Sequence, residues 1–178
     1  MEQQPLGASP RDRLIQERQI RFALWSQLAL VIYFEVVSWV PLGQWNYEPC
    51  CPPASDLLSR GKLDLLDALG LLAFVLPVVG FWYGVRRKDK WFMLAALLFY
   101  SSWLILQITS WWLPYVFGAS ESWKKVYGRA FSASTQVLPS WGDHLPPDGM
   151  HLALQILLVV AVWSGCAALI RVWKPRHA

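Results

Sequence analysis

The apolar positions of the chain collect into four long runs, approximately residues 22–42, 63–83, 91–113 and 150–170. Each reaches the roughly 20 mostly apolar residues that cross a bilayer as a helix. Inside hydrocarbon a run must satisfy its own backbone hydrogen bonds, so the pattern predicts an all-α bundle of four transmembrane helices. Polar segments separate the runs. Residues 1–8 are expected to be flexible. "SPRDRLIQERQIR" then places Ser9 as an N-cap and Pro10 at the first helical position, so the first helix starts before the membrane and continues into it. Its basic end lies where anionic lipid heads would attract it. "VPLGQWNYEP" after the first run offers no small-x-small cleavage site, and the run is expected to stay as an anchor.

The connections differ in kind. "NYEPCCPPASD" in the first outer loop is too rich in proline for regular structure. The connection 84–90 is short, which makes the second and third helices antiparallel neighbours. In the second outer loop, 114–149, Trp123, Tyr127 and Phe131 recur every four residues with Lys124, Lys125 and Arg129 on other faces. That is the pattern of a short helix lying in the membrane interface.

Composition agrees with this picture. The 178 residues suit one domain spanning 1–178. Only 16% of residues are charged and twelve are Trp, values unusual for a soluble domain and ordinary for a membrane protein. The net charge of +4 does not indicate nucleic-acid binding, because the basic residues form short clusters beside apolar runs. Lys and Arg are unevenly placed. Arg11, Arg13, Arg18, Arg21, Arg86, Arg87, Lys88, Lys90, Arg171, Lys174 and Arg176 fall on one side; Arg60, Lys62, Lys124, Lys125 and Arg129 fall on the other. Both termini are therefore expected to be cytoplasmic, with the bacterial inner membrane as the expected location. An aromatic belt accounts for most of the Trp residues, but Trp103 and Trp163 lie deeper than a belt.

Polar residues inside the runs gather toward the outer side. Glu35 lies about 10 Å below the outer boundary of the first run, and Asp67 is one turn into the second. Gln107 and Ser110 close the third run; His151 and Gln155 open the fourth. Helical spacing groups Tyr100, Trp103, Gln107 and Trp111 on one stripe, and His151, Gln155, Val159, Val162 and Cys166 on another. With those stripes inward, the bundle would hold an acidic, aromatic-walled pocket open to the extracytoplasmic side. A carboxylate at such depth is costly and marks function by default. Structural roles compete: Gln107, Ser110 and Gln155 as interhelical hydrogen-bond partners, Asp64 as a helix start, and Glu35 as an ion pair with Arg129 or a neighbouring His.

Asp143, His144, Asp148 and His151 form a donor set for metal, but the spacing matches no zinc pattern. Asp148 before Gly149 reads better as the N-cap of the fourth helix, with His151 in its first turn as a titratable pocket group. No metal or cofactor is expected. The adjacent Cys50 and Cys51 do not form a C-x-x-C redox pair, and Cys166 lies far from both along the membrane normal. No G-x-S-x-G, P-loop or dinucleotide motif is present.

Together these features point first to a small membrane-embedded acid/base enzyme. Its substrate would be amphiphilic (lipid-, sterol- or isoprenoid-like), and its reaction an isomerisation, cyclisation or hydrolysis. Glu35, Asp67 and His151 are the candidate proton-transfer groups. Trp39, Trp103, Gln107, Trp111 and Gln155 are the candidate substrate wall, where ring faces can stabilise developing positive charge. Two alternatives stand beside it: an accessory or interaction subunit of a membrane complex, and a proton-coupled exporter of hydrophobic cations. The second sits poorly with polar residues gathered on one side, since alternating access places its site at the midplane. The expected partners are the bilayer and an amphiphilic small molecule, with a homodimer or a membrane complex as further options.

Overall fold

The computed structural model describes residues 10–40, 42–45, 60–131 and 134–173, apart from the side chains of 38–39, 44, 60–67 and 129–130. Four helices in it are long and apolar enough to cross a membrane, and no strand occurs among the described residues. The chain is a multi-pass integral membrane protein by that measure. Helix α1 spans Pro10–Trp39, and a 3-10 turn follows at Gly43–Trp45. Helix α2 spans Arg60–Arg87 and α3 spans Lys90–Gln107. A π-helical turn, Ile108–Trp112, carries α3 on into α4, Leu113–Phe117. Helix α5 is Glu121–Ala130 and α6 is Gly149–Trp173. Cys50, Cys51, Asp56 and Ser9 lie outside the described residues.

The long helices form an antiparallel ring in which α1 packs on α2 and α6, and α3 packs on α2 and α6. Lipid tails are as apolar as leucine, so close approach of small residues has to hold such helices together. Ala23, Ser26, Ala161, Ser164, Gly165 and Ala168 are buried accordingly. The Ser26 and Ser164 hydroxyls bond across α1 and α6 at 2.8 Å. The Leu97 side chain fills the space over Gly165, where a Cβ would collide with it. Larger side chains close the middle of the ring: Leu30, Phe74, Tyr100 and Leu158. Trp103 belongs to this core, its ring 5.1 Å from Phe74 and 6.4 Å from Phe99.

One end of the ring is basic. Arg86 and Arg87 lie over the rings of Trp82 and Tyr83, and Lys90 sits 3.7 Å above the Trp173 ring. The α2–α3 connection there is tight. Lys88 turns the chain at φ 56°, and the Asp89 carboxylate caps α3 by accepting from the Trp91 N–H at 2.9 Å. The buried line of α6 runs through Gln155, Leu158, Ala161, Gly165 and Ala168. This differs from the expected stripe, whose Val159 is 52% exposed and whose Cys166 is also exposed. The face was set by small residues packing on α1 and α3, which an all-round apolar helix does not announce.

Candidate functional site

The opposite end of the ring is closed by residues 113–149, and its chemistry begins with Pro114. Proline has no N–H and crowds the carbonyl four residues back, which an α-helix cannot absorb without rearranging. Here the helix widens just before it: the Leu113 N–H donates to the Ile108 carbonyl, five residues back. Such π-turns change the phase of a helix and recur at functional sites. This one lies between Gln107 and Leu113, and it points Trp111 and Trp112 at neighbouring groups. The Trp112 indole N–H donates to Gln155 Oε1 at 2.6 Å, and Gln155 Nε2 reaches Gln107 Oε1 at 3.5 Å. Gln107 and Gln155, both buried, therefore tether α3 to α6.

The N-terminus of α6 is built on Asp148. Two fully buried prolines, Pro146 and Pro147, bring the chain in, and the Asp148 side chain caps the helix. Its Oδ1 accepts both the His151 backbone N–H at 2.8 Å and the His151 ring Nδ1–H at 2.9 Å. Its Oδ2 lies 3.3 Å from the Ser134 hydroxyl, which donates mainly to the Phe131 carbonyl at 2.6 Å. The carboxylate is only 1% exposed, so these bonds take the place of water around it. A carboxylate oxygen is an acceptor, so this contact selects the tautomer with the proton on Nδ1 and leaves Nε2 as the ring's acceptor. Backbone contacts brace the arrangement. The Gly149 N–H donates to the Thr135 carbonyl at 2.7 Å, and the Tyr33 hydroxyl donates to the Met150 carbonyl at 2.7 Å. The Trp45 ring packs directly on Gly149, in space that any Cβ would need.

Aromatic rings wall the imidazole. Trp111 lies 4.2 Å from it between centroids, tilted by 35°, and Phe131 meets it edge-on at 5.4 Å. Trp123 and Tyr127 back Trp111 at 5.4 and 6.3 Å. The Trp123–Tyr127–Phe131 stripe thus packs on Trp111 beside His151, which is where its every-four spacing finds its use. Helix α5 is pinned in turn by Lys124, whose ammonium bonds Glu121 and Asp143, each at 2.7 Å. Those two carboxylates hold the Lys124 pKa above the usual lysine range. Burial, and then the Asp148 charge, push the Tyr127 phenol up to about 12.

Of the sequence-derived candidates, His151, Trp111, Gln107 and Gln155 meet at this end. Trp103 lies apart in the bundle core. Glu35 is also set apart. Tyr33 faces α6 and Phe34 faces α2, with its ring 4.6 Å from Phe74. A further 100° of helical rotation carries Glu35 past α2 and away from α6. No hydrogen bond or ion pair reaches it among the described residues. The side chains of Trp39, Asp67 and the proposed partner Arg129 lie outside the described ones. His144 is occupied otherwise, with Nδ1 at 2.9 Å from the Tyr115 carbonyl and its ring stacked on Trp141. No three His, Cys, Asp or Glu side chains gather to hold a metal among the described residues. Ser134, Trp112 and the π-turn were not singled out from sequence, and only Pro114 carries a signal for the turn.

The arrangement can exchange a proton at His151 Nε2. That atom has no hydrogen-bond partner among the described residues, and the side chain keeps 17% of its surface exposed. Asp148 orients the ring and compensates the imidazolium that would form, the division of labour of a carboxylate–histidine pair. Comparison with family models, curated proteins and solved structures finds no match to the chain.

Proposed function

We propose that the protein is a small integral membrane enzyme in which His151 is the acid/base group. Its substrate is an amphiphilic lipid-, sterol- or isoprenoid-like molecule, and no diffusible cofactor takes part. The observation that carries this reading is the buried Asp148 carboxylate holding a histidine whose second nitrogen has no hydrogen-bond partner among the described residues, against the face of Trp111. Nε2 takes a proton from the substrate or returns one to it, and the Trp111 face lies where positive charge would develop. The lysine and arginine asymmetry supports cytoplasmic termini, which puts His151 at the extracytoplasmic side of a cell membrane. Helix α5, with Lys124 and Lys125 beside its aromatic stripe, then lies near the outer interface. Glu35, another candidate acid/base group, turns toward the α1–α2 side of the ring, and the proton transfer is assigned to His151.

The test uses protein in nanodiscs incubated with a total membrane lipid extract, followed by mass spectrometry of the lipids. The unsubstituted protein should deplete one species and raise another, His151→Gln should do neither, and Glu35→Gln should behave as the unsubstituted protein. Identical lipid profiles from the unsubstituted protein and His151→Gln would overturn the assignment.

A further inference from the structure

Trp163 lies too deep for an aromatic belt, yet it is 68% exposed on α6. It forms one wall of a groove of about 360 Å³ between α1 and α6, in the basic half of the bundle. Ile15, Phe22, Ser164 and Ala167 complete the wall, with Arg18 and Gln19 beside them. Two demands meet there. The Arg18 guanidinium is exposed and bonds no carboxylate among the described residues. The slot between Phe22 and Trp163 is apolar and continuous with the lipid-facing surface.

Arg18 stands about 31 Å along α1 from Trp39, close to the thickness of a hydrocarbon core. Its charge therefore falls at headgroup level, with Phe22 and Trp163 deeper in the chain region. A ligand that meets both demands has an anionic phosphate and an acyl chain. We propose that this groove is a binding site for one anionic glycerophospholipid. Its phosphate pairs with Arg18, and its chain lies across Phe22 and Trp163. This site is independent of the acid/base reading.

Native mass spectrometry tests it, on protein extracted from membranes of phosphatidylglycerol and phosphatidylcholine with identical chains. One phosphatidylglycerol should be retained in preference. Arg18→Gln, a surface change that leaves the fold intact, should reduce that preference about fivefold, as loss of one basic residue at a membrane surface implies. Ala167→Phe, which fills the slot, should remove retention of either lipid. Arg11→Gln lies outside the groove and should keep the preference. Equal retention of the two lipids, or an equal loss in Arg11→Gln and Arg18→Gln, would show a general basic attraction and overturn the site.

Discussion

Replacing Asp148 by Ala removes the carboxylate on which the closed end of the bundle is built. Two donors lose their acceptor, the His151 backbone N–H and the His151 ring N–H, whereas the Ser134 hydroxyl keeps its shorter bond to the Phe131 carbonyl at 2.6 Å. An N-cap of this kind contributes about 1 kcal/mol. Each buried hydrogen bond to a charged acceptor adds roughly 1.5–3 kcal/mol, though bonds that share one carboxylate do not add in full. A loss of about 3 kcal/mol is expected for Asp148→Ala. Asp148→Asn keeps an oxygen for the His151 backbone N–H and caps as well as Asp, so it should cost only about 1 kcal/mol. The assay is reversible unfolding in mixed micelles by titration with dodecyl sulfate, read by circular dichroism. An Asp148→Ala protein within about 0.5 kcal/mol of the unsubstituted one, the range of ordinary surface changes, would refute the reasoning. So would an Asn variant as unstable as the Ala variant, because the cap would then contribute nothing.

Two further outcomes follow from the same end of the molecule. Because burial and Asp148 raise the Tyr127 phenol to about 12, the fold favours its neutral form, and the associated stability is intact below pH 10 and lost as pH rises toward about 12. Unfolding midpoints between pH 8 and 12 should fall less steeply for Tyr127→Phe, and an unchanged slope would reject this. Gly149→Ala would bring a Cβ within 2.8 Å of the Trp45 ring, so it should destabilise by about 1–3 kcal/mol and raise Trp45 mobility. A neutral effect in the same micelle titration would mean that Trp45 does not cover the start of α6.

Much of the architecture is legible in the residues alone. Four apolar runs of bilayer length leave helix as the only form, Pro10 begins α1, and Asp148 before Gly149 caps α6. The crowding of basic residues at one end is equally a property of the sequence. What the sequence could not supply is the rotation of each helix about its axis. A helix surrounded by lipid is apolar on every side, so hydrophobic periodicity does not mark its buried face. The spacing on α6 therefore suggested Val159 and Cys166 where packing of small residues chose Leu158, Ala161 and Gly165. The same ambiguity grouped Glu35 with His151, although one turns toward the α2 flank and the other toward α3. The tertiary structure alone decided which aromatic residues reach the imidazole, because that depended on a π-turn before Pro114 and on a loop folding back over the bundle. Those contacts are long-range in the chain, and their energy comes from neighbours that local pattern does not specify.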